Sequence, residues 1–476
     1  MLKLYNTYSK KKEIFKSLNK GKVSIYTCGP TVYDYIHIGN LRSFVTADVL
    51  RRYLEYSGYE VRHIKNITDV GHLTADDITQ ADTGEDKILK KALAEKKTPE
   101  EIAKFYTEAF HRDEDAMNIL RAHYFPKATA HIPQMIKIIE ALIKKGNAYE
   151  KNGNVFFDVT SFKDYGKLSG NTLDKLKVGA RLEEHPDKKN HWDFALWLKA
   201  DPKHLLQWNS PWSRGYPGWH IECSAMATEY LGDTLDIHTG GEDNIFPHHE
   251  AEIAQSECFS GKKFVRFWVH TRHLLVEGEK MAKSKGNFYT PQDIHEKGFD
   301  PMHLRLLYLS SHYRKPLDFS WKAMEQAKAN YERISEWLGK LKETKNNLNT
   351  YNSTIVQLYV KKFEFAMDDD LNTHLALSTL YDLITDTNKK IAEDKLSTKE
   401  AEQALTAFEK INKVFGLKFP EKEIEIPENI KKLADERLEA RKSKAFQKAD
   451  ELRKEIEKLG YTIEDLEDNY KLKKNT

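Results

Sequence analysis

The stretch that most limits how this chain can fold is residues 26–40, Tyr-Thr-Cys-Gly-Pro-Thr-Val-Tyr-Asp-Tyr-Ile-His-Ile-Gly-Asn. It follows a short β-like run and leads into a segment whose apolar residues recur at helical spacing. We expect Asn40 to cap this helix and Gly58 to end it. With a second β-like run at 61–67, residues 23–67 predict one βαβ unit of the nucleotide-binding kind. Taken alone, the stretch is more often an ordinary α/β turn.

Composition limits the class of protein. The chain has 476 residues, more than one hydrophobic core usually holds, so we expect several domains. Because 75 Lys and Arg nearly balance 73 Asp and Glu, the net charge does not favour nucleic acid, and such a partner would have to bind local basic patches. The three cysteines are too few for a disulfide framework and suit a reducing compartment. No signal peptide and no run of about 18 apolar residues is evident, which predicts a cytoplasmic protein without a membrane segment.

Regular α/β alternation resumes after an aromatic-rich region, which we interpret as an inserted subdomain. The expected elements are a helix at 221–231, a strand at 235–238, a glycine-rich turn at 240–243, a helix at 246–258 and a strand at 264–270. This order is typical of a second Rossmann half, far in sequence from the first. Beyond residue 321 the pattern is almost wholly helical, and a small mixed unit follows a proline-containing linker.

Two residues of the predicted helix at 246–258 are candidate metal ligands. His248 and Glu252 are four positions apart, so their side chains should project from one face of the helix. His249 and Glu250 should point elsewhere. An imidazole and a carboxylate at this spacing suit a divalent metal, although an ion pair on the helix surface would explain them as well.

Two cysteines could complete such a metal site. Cys28 and Cys223 lie near predicted helix starts at the carboxyl edge of the predicted sheet. Together with the imidazole and the carboxylate they would supply two thiolates, and thiolate ligands select zinc over magnesium or calcium. Because the ligands are scattered rather than paired in a CxxC motif, two inert thiols remain the alternative.

A lysine-rich loop forms a second constellation. Residues 280–287 read Lys-Met-Ala-Lys-Ser-Lys-Gly-Asn and follow a β-like run at 274–276. Three lysines beside serine and glycine could close over a polyphosphate and neutralise charge that develops during group transfer. A solvated turn is the more common explanation of such a loop.

In this order, these stretches resemble the cysteinyl-tRNA synthetases, a family of class I aminoacyl-tRNA synthetases. Residues 37–40 resemble the HIGH signature and 280–284 the KMSKS signature. The segments at 218–226 and 246–250 are more diagnostic, because many synthetases share the two signatures. The four weak signals therefore agree on one family.

The chain departs from both signatures at one position each. Asn40 replaces the second histidine of HIGH, and Ala282 replaces the first serine of KMSKS. The more important His37, Lys280 and Lys283 are kept, so the departures do not put activity in doubt.

The resemblance implies an α/β fold, a split Rossmann catalytic domain with a connective insertion, followed by an α-helical bundle and a small mixed C-terminal anticodon-binding domain. The implied boundaries are 1–128 for the first Rossmann half, 129–214 for the insertion, 215–270 for the second Rossmann half, 271–325 for a stem-contact region with the KMSKS-like loop, 326–424 for the helical bundle and 425–476 for the anticodon-binding domain.

The reaction that the resemblance implies has two steps. ATP, carrying Mg²⁺, activates L-cysteine as cysteinyl-adenylate, and the cysteinyl group then passes to the 3′-terminal adenosine of tRNA(Cys). One Zn²⁺ per subunit would take the substrate thiolate as an extra ligand, so that serine is rejected without an editing domain. We expect a monomer.

The implied site residues follow the family's motifs. The zinc ligands would be Cys28, Cys223, His248 and Glu252. The amino acid would be surrounded by Thr68, Trp219 and His238. ATP would contact Gly39, Asn40, Gly240, Gly241, Asp243 and Lys283. The catalytic residues would be His37, Lys280 and Lys283, which stabilise the phosphates during transfer.

Two other functions are compatible with parts of the sequence. One is the related ligase that joins cysteine to an amino-sugar in low-molecular-weight thiol synthesis, but the regions beyond residue 321 argue against it. The other is a non-catalytic zinc protein that binds RNA, which would lack cysteine-dependent pyrophosphate exchange.

Overall fold

The chain folds into two units, Met1–Leu417 and Lys418–Thr476. A computed structural model describes all residues except 72–85, 173–185, 203, 283–284, 347, 349–353, 420–426, 466–468 and 475–476. Among the residues it describes, no helix combines the length and the hydropathy needed to cross a bilayer.

In the larger unit, strands and helices are mixed as far as Phe319, and every later element that the structure describes is a helix. Its strands are β1 (Lys3–Asn6), β2 (Lys11–Ile14), β3 (Lys22–Thr27), β4 (Glu60–Lys65), β5 (Ala148–Lys151), β6 (Asn154–Phe157), β7 (Phe194–Lys199), β8 (Trp208–Asn209), β9 (Arg214–Pro217), β10 (Leu235–Gly241), β11 (Val265–Thr271), β12 (Leu274–Val276), β13 (Glu279–Lys280) and β14 (Leu317–Phe319). Its helices are α1 (Ile38–Tyr56), α2 (Lys87–Glu95), α3 (Pro99–Ala116), α4 (Ile132–Lys144), α5 (Trp219–Leu231), α6 (Glu250–Ser260), α7 (Pro291–Glu296), α8 (Pro301–Leu309), α9 (Trp321–Glu343), α10 (Ile355–Asp368), α11 (Thr373–Ala392) and α12 (Thr398–Phe415).

A four-stranded parallel sheet joins the two sequence-distant halves of this unit. Its strand order is β11-β10-β3-β4, so β3 of the first half pairs with β10 of the second. His238 lies beside Tyr26 and Thr239 beside Thr27 in this pairing. The order of the strands therefore reverses between β3 and β10, and the carboxyl ends of those strands form the crevice where such sheets bind ligands. The predicted split Rossmann fold is confirmed.

The start of α1 differs from the prediction. Its N-cap is His37, whose Nδ1 accepts hydrogen bonds from the backbone N–H of Gly39 at 3.0 Å and of Asn40 at 3.2 Å. Asn40 Oδ1 accepts in return from the His37 backbone at 3.1 Å. The prediction of Asn40 as cap was wrong because an imidazole nitrogen can take the role of the capping oxygen in this reciprocal arrangement. Gly58, at φ +88°, follows the end of the helix as predicted.

The helix predicted at 246–258 begins later than expected. Residues Ile245–His249 form an irregular turn, and α6 starts only at Glu250. Phe246 is extended, with φ −140° and ψ 133°, because Pro247 disfavours helical geometry in the residue before it. The side chains of the turn therefore do not keep the helical phase on which the prediction depended.

The insertion forms a separate antiparallel sheet in the order β5-β6-β7-β9-β8. Asn152 and Gly153, at φ +56° and +87°, form a two-residue hairpin loop between β5 and β6, as the Asn-Gly sequence favours. Aromatic side chains form part of its core: Trp197 is fully buried, and Phe157 stacks on Phe194 with ring centroids 5.0 Å apart.

A carboxylate in the helical part ties three segments together. Asp370, in the turn between α10 and α11, is fully buried at φ +66°. Its Oδ1 accepts from the Tyr5 backbone and from the Tyr313 hydroxyl, each at 2.7 Å. Its Oδ2 accepts from Arg314 Nε at 2.6 Å. One ionised group thus links the helical region to β1 and to the loop that precedes β14.

The smaller unit contains α13 (Glu428–Lys442), α14 (Phe446–Lys458), β15 (Tyr461–Asp465) and β16 (Tyr470–Lys474). Two helices and two strands make this a small mixed unit, as the sequence analysis expects. The buried Arg437 donates to Asp465 at 2.6 Å and fixes the helices against the hairpin. Most of the predicted linker, residues 420–426, lies outside the described part of the chain.

Replacing Asp370 with Asn is expected to lower the free energy of unfolding of the larger unit by about 2 to 4 kcal/mol. The amide keeps the shape and tolerates the left-handed backbone, but it removes the negative charge that Arg314 faces. Urea unfolding followed by tryptophan fluorescence measures this unit alone, since all eight tryptophans lie between residues 192 and 337.

The neighbouring Asp369 offers a matched control. It is half-exposed and pairs with Lys12 at 2.6 Å. Asp369→Asn should cost less than about 1 kcal/mol, as surface ion pairs do. Equal effects of the two substitutions would contradict the linking role of Asp370.

Candidate active site and metal centre

The four predicted metal ligands come from four different segments. Cys28 directly follows β3, and its backbone N–H donates to Thr239 of β10 at 3.3 Å. Cys223 lies in the second turn of α5, His248 in the irregular turn before α6, and Glu252 in the first turn of α6. Because α5 precedes β10 and α6 follows it, both helices bring residues to the carboxyl edge of the sheet.

The structure brings these four side chains together. Their potential ligand atoms all lie within 4.8 Å of one another. Cys28 Sγ is 3.9 Å from Cys223 Sγ and 3.7 Å from Glu252 Oε1, which in turn is 3.1 Å from His248 Nε2. Two thiols, one imidazole and one carboxylate can therefore share a common centre.

The chemistry of this group fits a divalent cation. Cys223, His248 and Glu252 are at most 1% exposed. Burial, followed by the nearby Cys223 thiol and Glu252, raises the pKa of the Cys28 thiol well above its usual value. A cation at the centre would reverse this, because metal ligation favours the thiolate form. Two sulfurs with one nitrogen and one oxygen are a donor set typical of zinc.

Further histidines surround the cluster. His238 Nε2 lies 3.0 Å from the second oxygen of Glu252, and His220 Nδ1 lies 2.9 Å from His248 Nδ1. Contacts of this kind orient ligands in metal sites. Sequence analysis did not identify His220 as part of the site, although it is three positions before Cys223 and therefore on the same face of α5.

His249 was predicted to point away, and that prediction was wrong. Its Nε2 lies 3.2 Å from Cys28 Sγ, and its Nδ1 lies 2.7 Å from His270 Nε2. With Cys28, His238 and Glu252 it forms a second group that could hold a metal. The extended Phe246 and the irregular turn direct both neighbouring histidines inward, whereas a regular helix would separate them by about 100°.

Glu250 does point elsewhere, as predicted. Its Oε2 accepts from the backbone N–H of Ser169 at 2.9 Å. It therefore connects α6 to the insertion and contributes no ligand to the cluster.

The residues predicted to surround the amino acid lie against the cluster or next to it. The Trp219 ring stacks on His248, with centroids 4.4 Å apart and an interplanar angle of 27°. His238 touches Glu252, and the Thr68 hydroxyl donates to Glu222 Oε2 at 3.0 Å. Burial raises the pKa of Glu222 well above its ordinary value.

The predicted nucleotide residues lie along α1 and the end of β10. Gly39 is required, since a Cβ there would lie 2.8 Å from Met281 Cε and 2.9 Å from the His37 ring. Gly240 is equally constrained, because its Cβ would come within 2.7 Å of the His249 ring. A Cβ on Gly241 would meet only an ordinary contact at 3.6 Å. Both glycines belong to β10, which extends beyond the predicted strand end at 238.

Lys280, the first residue of the lysine-rich segment, forms an ion pair in the turn that follows β10. Lys280 Nζ lies 2.7 Å from Asp243 Oδ1, and His273 Nδ1 lies 3.2 Å from Asp243 Oδ2. Although burial raises it, these two partners lower the pKa of Asp243 to about 2. Lys283, predicted to contact ATP, lies outside the described residues.

Comparison with known proteins decides the family. A family model described as tRNA synthetases class I (C) catalytic domain matches residues 14–329. A DALR domain matches 362–420, and a cysteinyl-tRNA ligase anticodon binding domain matches 424–469. The cysteine–tRNA ligase of Chlorobaculum tepidum is 44% identical over 480 residues, covering 98% of this chain and 97% of that relative. The chain belongs to the cysteine–tRNA ligase family.

Other members and solved structures agree with this assignment to the cysteine–tRNA ligase family. A cysteine–tRNA ligase of Thermus thermophilus is 43% identical over 476 residues, 98% of this chain and 97% of its own length. Mycobacterium tuberculosis methionyl-tRNA synthetase in complex with methionyl-adenylate has a TM-score of 0.58 at 13% identity, covering 83% of this chain and 90% of that one. At this identity the likeness shows the fold alone, which is that of a class I synthetase.

For this member of the cysteine–tRNA ligase family, the cluster predicts metal content that depends on specific cysteines. The purified protein should carry about one divalent metal ion per chain, measured by inductively coupled plasma mass spectrometry. Cys223→Ser should lose most of it, because a hydroxyl does not readily ionise to replace the thiolate.

Cys258 provides the matched control for metal content. It is the third free cysteine and lies outside both candidate groups among the described residues. Cys258→Ser should keep the metal. Retention of metal by Cys223→Ser and Cys28→Ser alike would exclude the cluster as the binding site.

Proposed function

We propose that this chain activates L-cysteine with ATP and transfers it to the 3′-terminal adenosine of tRNA(Cys), and that its buried cluster binds one Zn²⁺. The observation that carries the proposal is the convergence of Cys28, Cys223, His248 and Glu252 within 4.8 Å at the carboxyl edge of the sheet. Membership of the family supports the reaction, and the donor chemistry supports the metal.

Selection of cysteine follows from the same donors. A bound Zn²⁺ would supply a direct bond to the thiolate of the substrate, which the harder and less acidic hydroxyl of serine cannot replace. The chain's own contribution is to bury Cys223, His248 and Glu252 and to stack Trp219 on the His248 ring, which holds that ring in place. A site built around one strong contact rejects the analogue that lacks it by orders of magnitude, so no editing step is needed.

His37 is positioned to donate to a phosphate. Its Nδ1 accepts two backbone hydrogen bonds, so in the neutral ring the hydrogen resides on Nε2. The helix N-terminus beneath it adds positive potential where the α-phosphate of ATP would lie. Phe288 packs edge-on against the ring at 5.1 Å and restricts its rotation. We expect this N–H to stabilise the negative charge that grows during adenylate formation.

Lys280 and Lys283 complete the phosphate site in this proposal, with Mg²⁺ bound to the ATP phosphates. Lys280 is exposed and already pairs with Asp243, which lies two residues after Gly241, the last residue of β10. Adenine and ribose would approach the backbone at Gly240 and Gly241, as they do at nucleotide sites of this fold class.

The recipient of the activated amino acid is inferred to be tRNA. The matches at 362–420 and 424–469 favour it over an amino-sugar, because an amino-sugar ligase needs neither a DALR domain nor an anticodon-binding domain. The small unit that bears the second match folds around its own core of Ile430, Ala434, Ile456, Tyr461 and Ile463.

Pyrophosphate exchange tests the first step. The protein should exchange labelled pyrophosphate into ATP in the presence of cysteine and not of serine, and Cys223→Ser should abolish the exchange. The physical reason is loss of the thiolate that helps to hold the metal. Cys258→Ser should exchange at the rate of the unaltered chain. Exchange unchanged in Cys223→Ser would rule out selection through the metal.

Truncation tests the second step. Removing residues 425–476 should leave cysteine-dependent exchange intact and weaken tRNA charging, because every described site residue lies before residue 289. Rates of exchange and of aminoacylation are compared on the same preparation. Equal loss of both would show that the small unit is part of the catalytic fold.

A further inference from the structure

Thr68 is held by a chain of hydrogen bonds that starts beside a metal ligand. The backbone N–H of Gly29 donates to Asn66 Oδ1 at 2.8 Å, and Asn66 Nδ2 donates to Thr68 Oγ1 at 3.1 Å. Thr68 Oγ1 in turn lies 3.0 Å from Glu222 Oε2. The chain thus runs from the residue after Cys28 to the residue before Cys223.

The direction of the first two bonds is fixed by a backbone donor. Since the N–H of Gly29 can only donate, the Asn66 atom that faces it is the amide oxygen. The amide nitrogen of Asn66 therefore faces Thr68 and donates to its hydroxyl. One lone pair of Thr68 is used, and its single hydrogen is directed to Oε2 of Glu222, the oxygen that accepts. A proton retained by this buried carboxyl would lie on the other oxygen, Oε1. The Thr68 hydroxyl therefore has one lone pair left, and it can only accept a hydrogen bond from a ligand.

Glu222 is placed so that it can impose this direction. It is fully buried in α5, and a Cβ on Gly71 would lie 3.0 Å from its Oε1. That oxygen has no hydrogen-bond partner among the described residues, so the side chain is held by packing and by its bond to Thr68. No Lys or Arg among the described residues forms a salt bridge with Glu222, so pairing with a basic side chain does not account for this buried carboxyl.

The polar groups of cysteine identify what the lone pair would meet. In the proposed function the thiol goes to the metal and the carboxylate reacts with ATP. The α-ammonium group remains, and an ammonium can only donate. An oriented acceptor beside the metal ligands matches it, whereas a freely rotating hydroxyl would present its hydrogen part of the time.

We propose that Glu222 is a positioning residue: by accepting the hydrogen of Thr68, it keeps a lone pair of that hydroxyl facing the α-ammonium group of the substrate. The inference rests on the proposed cysteine activation. It assigns to Glu222 a role in recognition of the amino group that is separate from recognition of the thiol.

Glu222→Leu should raise the KM for cysteine in pyrophosphate exchange about tenfold or more, because an oriented hydrogen bond to a charged group is lost. The KM for ATP and the metal content should stay within about twofold of the unaltered chain. Glu222→Gln, whose amide oxygen can still accept, should restore the KM for cysteine to within about threefold.

A substrate analogue separates positioning from damage to the metal site. 3-Mercaptopropionate has the thiol and the carboxylate of cysteine but no ammonium group. Its inhibition constant should be the same for Glu222→Leu and the unaltered chain. Equal weakening of cysteine and of 3-mercaptopropionate, or loss of metal, would overturn the proposal, because Glu222 would then act on Cys223 itself.

Thr68→Val and the double variant complete the test. If Glu222 acts through Thr68, the double variant should raise the KM for cysteine no further than Thr68→Val alone. Additive effects would overturn the proposal. Should Glu222→Leu fail to fold, Glu222→Met takes its place, and it must raise the KM for cysteine and leave the inhibition constant of 3-mercaptopropionate unchanged.

Ser224→Ala is the matched control on the other side of Cys223. Ser224 is buried, and its hydroxyl has no hydrogen-bond partner among the described residues. Its KM for cysteine should be unchanged. Absence of exchange in the unaltered chain would refute the proposed function, whereas normal exchange with a normal KM in Glu222→Leu would refute this inference only.

Discussion

The pairing of β3 with β10 is the interaction on which the site depends. These strands come from halves separated by more than two hundred residues of sequence, and the bond from the Cys28 backbone to Thr239 is the last rung between them. After this hydrogen bond the chain leaves β3, and the thiol of Cys28 lies at the crevice. The helices on either side of β10 bring the other ligands. A shift of register by one residue would turn Cys28 to the opposite face, so the candidate metal site depends on the register of the sheet.

A cluster of thiols, imidazoles and a carboxylate would be costly to bury without compensation. Here Glu252 contacts His238. On the other side, Cys28 contacts His249, and His249 contacts His270. The series ends where His270 Nδ1 lies 2.8 Å from the Thr7 hydroxyl. Each imidazole in this series has a polar neighbour. Burial lowers the pKa of His249 and of His270, which keeps both rings neutral beside a centre that would hold a cation.

The parts predicted from sequence are those that depend on local patterns. Alternation, glycine positions and the spacing of signature residues indicated the split sheet and the four candidate ligands. The parts that were missed depend on geometry that no local pattern contains. The inward turn of His249 follows from an extended residue before Pro247. The role proposed for Glu222 rests on a bond to Thr68, 154 residues away. Likewise, the His37 cap requires a ring nitrogen to act as the capping acceptor.

In the proposed function, the ion pair between Lys280 and Asp243 affects when Lys280 becomes available to a phosphate of ATP. Because its partners lower the pKa of Asp243 to about 2, this carboxyl is ionised at neutral pH, and in the proposed function a phosphate would have to compete with it for the lysine. Asp243 does not lose its only partner when this happens, since His273 remains within 3.2 Å. The exposed position of Lys280 keeps the cost of the exchange low, because surface ion pairs contribute little. In the proposed function, Asp243 would thus hold Lys280 near the phosphate site before ATP arrives, in an ion pair weak enough for the lysine to transfer to a phosphate.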